Sequence, residues 1–219
     1  MPNKQHQQPF IPQTARELMT RYRGVYLGDP GSKKIYLTFD TGYENGNTSR
    51  ILDTLAAHQV KAAFFVTKPY ITTQPSLVKR MVAEGHLVGN HTATHPSLPT
   101  ITDAQVVKEV RDTEAAFASV TGKEMPKFLR PPNGEYSEHV LALLASINYR
   151  PVLWSMAFRD WDVTKQPGST QAFHNVVDNI HPGAVILLHS VSASNAEVLD
   201  SIITELKKQG YQFAALTEL

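Results

Sequence analysis

Five short clusters in the chain carry residue types that move protons or bind cations. His91-Thr92-Ala93-Thr94-His95 sets two imidazoles four residues apart, a spacing that on a helical turn points both rings the same way so that they can share one ion. Asp40, in Thr38-Phe39-Asp40-Thr41-Gly42, ends an apolar run, where a carboxylate costs desolvation free energy unless a partner meets it. Arg130-Pro131-Pro132-Asn133-Gly134 joins a guanidinium able to grip a carboxylate with two prongs to a loop stiffened by prolines. Arg159-Asp160-Trp161 and Leu187-Leu188-His189 complete the set. Each cluster alone has an ordinary reading, such as a turn aspartate before glycine or a strand capped by histidine. Together those readings require five unrelated reasons for polar residues in corresponding places.

Such residues need a scaffold that brings distant segments together. From Ile35 onward, short apolar β-prone runs at 35–39, 62–66, 86–89, 127–129, 151–155, 184–188 and 211–215 alternate with stretches of helical period. That alternation predicts a parallel sheet with helices outside it. Ile51, Leu52 and Leu55 share one helix face; Pro75 suits a first turn ahead of Leu77, Val78 and Met81, and Gly85 ends that helix. Thr102-x-x-Gln105 predicts a capping box, with Ile101 and Val106 as a staple and Gly122 as the terminator. Val198, Leu199, Ile202, Ile203 and Leu206 line a further helix ended by Gly210.

Seven strand–helix units favour a single α/β domain built as a distorted (β/α)7 barrel over a doubly wound sheet. In a parallel barrel, active sites form on the rim at the C-terminal ends of the strands. Asp40, His91 with His95, Arg130, Asp160 with Trp161, and His189 each follow a predicted strand, so five strand ends converge on one mouth. Ahead of the barrel domain, placed at 34–219, residues 1–33 read as a proline-marked tail to Gln13 and a short helix toward Arg23, opened by a capping box at Thr14-x-x-Glu17.

Composition narrows the function classes. A formal net charge of +1 offers no basic field that would gather nucleic acid. The absence of cysteine excludes disulfides, thiolate metal sites and cysteine nucleophiles, so any metal binds through nitrogen and oxygen. No apolar run approaches the ~20 residues of a membrane helix, and Met1 to Pro12 is polar without a hydrophobic signal core. As it stands the chain reads as soluble, with its compartment open. His6, His58, His86, His139, His174 and His181 read as surface or structural.

In their order along the chain, the five clusters resemble the motifs of carbohydrate esterase family 4, the NodB-type polysaccharide deacetylases, over roughly Lys34 to the C-terminus. Finer detail is similar to the subgroup that de-N-acetylates N-acetylmuramic acid in peptidoglycan, forming muramic δ-lactam in the spore cortex. Gly42-Tyr43-Glu44-Asn45-Gly46, Gly89-Asn90-His91, His181-Pro182-Gly183, His189-Ser190-Val191-Ser192 and Asn195-Ala196-Glu197 carry that likeness.

The resemblance implies a distorted (β/α)7 barrel and a monomeric hydrolase of the cell wall or spore cortex, acting outside the cytoplasm on a glycan strand and releasing acetate. It implies a divalent cation on His91 and His95, zinc or else manganese or cobalt. It makes Asp40 the general base, oriented by Arg130, and His189 the general acid, oriented by Asp160. The Asn133 backbone amide would stabilise the oxyanion, Trp154, Trp161 and Leu187 would wall an acetyl pocket, and Tyr43, Tyr136 and Phe158 would touch sugar faces.

This chain departs from the family at Thr41, where a second aspartate is the third metal ligand, and at Ala157, where the fourth motif begins with aspartate. Loss of an anionic ligand lowers cation affinity, and Glu44 is a possible substitute. Two other readings share the fold: a glycan-binding protein silenced by that loss, and an esterase for O-acetylated xylan. Retention of Asp40, Arg130, Asp160 and His189 favours an enzyme, since binding alone needs neither base nor acid.

Overall fold

The computed structural model describes residues 6–219. Seven strands, β1 (Lys34–Thr41), β2 (Ala63–Val66), β3 (Leu87–Asn90), β4 (Phe128–Leu129), β5 (Arg150–Pro151), β6 (Val185–His189) and β7 (Gln212–Phe213), form one sheet in the order β5-β4-β3-β2-β1-β6, with β7 on the first residues of β1. Every ladder is parallel. The helices are α1 (Gln13–Arg21), α2 (Thr48–Ala57), α3 (Lys68–Thr73), α4 (Pro75–Ala83), α5 (Asp103–Thr121), α6 (Glu138–Ser146), α7 (Ser169–Val177) and α8 (Ala193–Lys208). This is the expected α/β barrel in a single domain, with helices following the strands.

The barrel closes irregularly. Past β5 the chain leaves the ladder, and Met156 bridges to Ile186 of β6, with Ser155 N donating to Val185 O at 3.0 Å. The predicted strand over 151–155 is therefore two residues of ladder followed by a bend that crosses to β6. Below that bend the gap is filled by the segment before β1: Val25 pairs with Val152, and Leu27 pairs antiparallel with Ala184. Gly28 and Gly183 touch backbone to backbone there, and a Cβ on Gly183 would lie 2.5 Å from Gly28 O.

Residues 25 and 27, expected to precede the domain, thus complete its wall, and residue 33 is no packing boundary. His6 Nδ1 donates to Ile180 O and Gln8 Nε2 to Gly28 O and Pro182 O, so the described part of the expected tail is docked. Residues 1–5 of that tail lie outside the described residues. Helix α1 starts one residue before Thr14, with Pro12 at its N-cap position and no side-chain cap, so the predicted capping box does not form.

Strand alternation sorts the core into two layers. Ile35, Leu37 and Phe39 of β1, with Phe64 and Val66 of β2, face outward into the layer under the helices, where Ile51, Leu52 and Leu55 of α2 are fully buried. Each such side chain contributes about 1.5–3 kcal/mol by burial. Tyr36, Ala63, Phe65, Val152 and Val185 fill the barrel interior. Both faces of β1 are covered, hence its nearly unbroken apolar run. Thr38 and Asp40 share the inner face with Tyr36, and that register carries Asp40 to the mouth.

Helix punctuation follows the sequence. Thr102 and Gln105 form the capping box of α5, Gly122 ends it in the left-handed region at φ 69°, and Pro75 opens α4.

Candidate active site

The C-terminal ends of the strands surround a cleft of about 740 Å³. Asp40, Tyr43, His91, His95, Asn133, Trp154, Trp161, Leu187 and His189 all face it, as do Ala157 and Phe158; Tyr136 does not. Arg130 and Asp160 stand behind, both fully buried.

The Arg130 guanidinium is fully buried. Nη1 donates to Asp40 Oδ1 at 2.8 Å and Nη2 to Thr38 Oγ1 at 2.8 Å, while Nε and Nη2 reach Val152 O and Leu153 O at 3.3 Å each. The guanidinium also lies over the Phe65 ring at 4.3 Å. The two-pronged grip expected on the carboxylate is divided: one prong takes Asp40 and the other a threonine two residues earlier on the same strand face. Asp40 Oδ2 is left toward the cleft, 3.5 Å from His91 Nε2. Burial alone would push the Asp40 carboxyl up, but Arg130 foremost, with His91 and His189, holds it below 3.8.

On the neighbouring strand, His189 ends the buried run of β6. Its Nδ1–H donates to Asp160 Oδ1 at 2.7 Å, and its backbone N–H donates to Asp160 Oδ2 at 2.8 Å. Burial pulls the imidazole pKa down, but the hydrogen bond and charge of Asp160, helped by Asp40, raise it above 6.5. Asp160 thereby fixes the ring and leaves Nε2 free.

His91 and His95 meet edge to face, ring centres 4.8 Å apart, but not on a helix. Thr92 and His95 adopt left-handed backbone at φ 67° and 60°, so a tight loop gathers the rings. Asn90 Oδ1 accepts from Thr92 N, Thr92 Oγ1 accepts from His95 N, and Glu109 of α5 accepts from both Thr94 N and Thr94 Oγ1. Left-handed threonine is uncommon, and this network stabilises it. His91 Nδ1–H donates to Arg130 O at 2.8 Å, and burial drives its pKa down to about 4. The ring is therefore neutral, with the Nε2 lone pair turned to the cleft.

A neutral imidazole whose other nitrogen is pinned by a carbonyl is the usual form of a metal ligand. Two imidazoles over an open cleft fit a divalent cation with nitrogen preference that keeps positions for solvent or substrate. Among the described residues no third His, Asp or Glu gathers with them to enclose an ion. Glu44 is not that third ligand: its carboxylate accepts from Thr48 Oγ1 at 2.5 Å and Tyr70 Oη at 3.1 Å. Thr41 is fully buried, its hydroxyl has no hydrogen-bond partner, and it shares the outward strand face of Phe39 rather than lining the cleft.

In the proline loop, Asn133 is left-handed at φ 57°, and its backbone N–H donates to no acceptor within the described residues. Gly134 packs where a Cβ would stand 2.7 Å from the Trp154 ring. Among the remaining histidines, His58, His139 and His174 pair with Asp200, Asp103 and Asp178, away from the cleft.

Sequence reasoning missed the parts played by four residues. Thr38 was legible from period two, since it shares the face of Asp40. Asn195 donates to Asp160 Oδ2 at 2.5 Å, and Asn45 and Asn47 both donate to Val191 O, tying the Tyr43 loop to the turn after β6; no local pattern announces those long-range bonds.

A parallel barrel whose mouth holds an ionised carboxylate, an imidazole backed by a buried aspartate and two further imidazoles in ring contact has the equipment of a hydrolase of the acyl-transfer type. Comparison with known proteins agrees. The polysaccharide deacetylase family model matches residues 27–152, and the chain belongs to that family, as a family 4 carbohydrate esterase. It is 45% identical over 214 residues to the peptidoglycan-N-acetylmuramic acid deacetylase PdaA of Bacillus subtilis, covering 98% of this chain and 81% of that protein. The solved structure of PdaA superposes with a TM-score of 0.96 at 44% identity, covering 100% of this chain and 94% of the other. A family 4 carbohydrate esterase from Bacillus anthracis superposes with a TM-score of 0.84 at 40% identity, covering 100% and 98%. The match beginning at residue 27 accords with the role of Leu27 in the barrel wall.

Proposed function

We propose that this deacetylase removes the acetyl group from N-acetylmuramic acid of peptidoglycan, with Asp40 as general base and His189 as general acid. The observation that carries the reading is the pairing of each group with its own buried partner at the mouth of one cleft, Asp40 with Arg130 and His189 with Asp160. The muramic sugar rests on the likeness to PdaA over nearly the whole chain.

Asp40 takes the proton of the attacking water through Oδ2, the oxygen that Arg130 leaves free. Arg130 keeps that carboxylate ionised and fixed. The tetrahedral oxyanion is met by the unengaged Asn133 N–H, a type of donor worth about 3 kcal/mol. His189 delivers its Nε2 proton to the departing amine, so that the C–N bond breaks to free amine and acetate. Trp154, Trp161 and Leu187 shape the acetyl pocket and exclude bulk water, and Tyr43 offers a ring to the sugar face at the rim.

Family 4 deacetylases are metal-dependent. We assign the cation, zinc by its nitrogen donors, to Nε2 of His91 and to His95; when bound there it supplies Lewis-acid polarisation of the acetyl carbonyl. Action at the cell wall, outside the cytoplasmic membrane, is part of this proposal and is supported by the likeness to a peptidoglycan deacetylase.

Muramidase digestion of treated peptide-free glycan strands, followed by mass spectrometry, tests the assignment. Loss of acetyl from the muramic residue is expected; loss confined to glucosamine would replace the substrate, and no loss would reject the reading.

A further inference from the structure

We propose that Asn195 is a positioning residue of the deacetylation, its amide on the first turn of α8 holding the Asp160 carboxylate in the orientation that aims His189 into the cleft. The inference rests on the assignment of His189 and Asp160 above and adds a third member to that pair.

Asp160 Oδ2 receives two donors, His189 N at 2.8 Å and Asn195 Nδ2 at 2.5 Å, while Oδ1 receives His189 Nδ1 at 2.7 Å. A carboxylate only accepts, so the Asn195 amide must turn its nitrogen to Asp160. That choice leaves Asn195 Oδ1 buried and without a donor from the protein. Asn195 itself is only 1% exposed and does not face the cleft, so it acts on the chemistry through Asp160.

The surrounding bonds make α8 a rigid support for this contact. Ser192 caps the helix, accepting from Asn195 N at 3.2 Å. Gln166 then clips the Asp160 loop to the same helix end: Nε2 donates to Asp160 O and Asp162 O, and Oε1 accepts from Ser192 Oγ and Ser194 N. The backbone of Asp160 is fixed by Gln166, and its carboxylate is fixed by Asn195. Without the amide, Oδ2 keeps only the His189 N–H, and rotation of the carboxylate about its χ2 takes Oδ1 away from Nδ1.

Two effects separate this role from simple packing. Once the carboxylate turns Oδ1 away from Nδ1, the hydrogen bond that raises the imidazole weakens, so the pH above which His189 loses its proton moves down; Asp160, Asp40 and Arg130 are the charges that act on that ring. Orientation is lost as well, and it matters only in the transition state, so kcat falls with KM unchanged.

The test is acetate release from peptide-free glycan strands by the full-length, metal-loaded protein, comparing wild type with Asn195→Ala and Asn195→Asp. For Asn195→Ala the expected result is a kcat lower by about tenfold at constant KM, with the alkaline limb of the kcat profile shifted to lower pH. For Asn195→Asp the introduced carboxyl donates only while protonated, so activity is retained at acid pH and lost as that group ionises. A variant that does not fold is replaced by Asn195→Ser, which keeps a donor and is expected to recover part of kcat. Unchanged kcat and unchanged limbs in the folded variants, whatever their melting temperatures, would overturn the inference. Asp160→Asn is run in parallel: if it too leaves the profile intact, the His189–Asp160 assignment fails, whereas an effect of Asp160→Asn without one at Asn195 rejects Asn195 alone.

Discussion

Asp40 and His189 are register partners at the C-terminal ends of the neighbouring parallel strands β1 and β6. The same ladder that sets Phe39 beside Leu188 in the core sets a carboxylate beside an imidazole at the rim, so the spacing of the proposed base and acid is fixed by backbone hydrogen bonds. Each then needs a buried counter-charge from another segment, Arg130 in one case and Asp160 in the other.

Arg130 is expected to be a large contributor to stability, because its loss strands Asp40 in the interior. Arg130→Met should destabilise the protein by about 3–5 kcal/mol in urea denaturation. The double variant Asp40→Asn with Arg130→Met should recover part of that loss, since the uncompensated charge is gone. Additive losses would show that the pair is not coupled.

The pH dependence follows from the two shifts. His189 is raised above 6.5 and must carry its proton to act as acid, so kcat falls as pH climbs through that raised value. Asp40 is lowered below 3.8 and must be ionised, so activity falls on the other side only as pH drops through its depressed value. Linkage gives stability the same signs: the His189 contribution is complete below 6.5 and is lost as pH rises through the folded value, while that of Asp40 is present above 3.8 and is lost as pH falls. Asp160→Asn removes the charge that raises His189, so the alkaline limb should move to lower pH. A limb that stays in place would exclude His189 as its source.

Metal affinity tests the role of the paired imidazoles. His91→Ala should lower zinc affinity at least tenfold in calorimetric titration, an effect on the order of those seen when a ligand's support is lost. Equal affinity in wild type and His91→Ala would place the cation elsewhere.

Much of the barrel was legible because parallel strands are buried on both faces and appear as short apolar runs, and because capping residues such as Thr102, Pro75 and Gly122 mark helix ends locally. The convergence of Asp40, His91, His189 and the proline loop followed from their place after those runs. What escaped was long-range or conformational. The wall role of Val25 and Leu27 depends on a gap between β5 and β6 that no local pattern encodes. A four-residue histidine spacing suggests a helix, and only the left-handed Thr92 and His95, braced by Glu109 from α5, reveal a loop. Asn195 meets Asp160 across 35 residues of chain, and its type gives no sign of that meeting.

Catalysis in this cleft depends above all on the carboxylate beside Arg130 acting as the base. Acetate release by metal-loaded Asp40→Asn, with fold and metal content matched to wild type, measures this directly. A fall in kcat of about two orders of magnitude or more is predicted, because the amide keeps the shape and the Arg130 hydrogen bond but accepts no proton. Turnover within a few fold of wild type would contradict it.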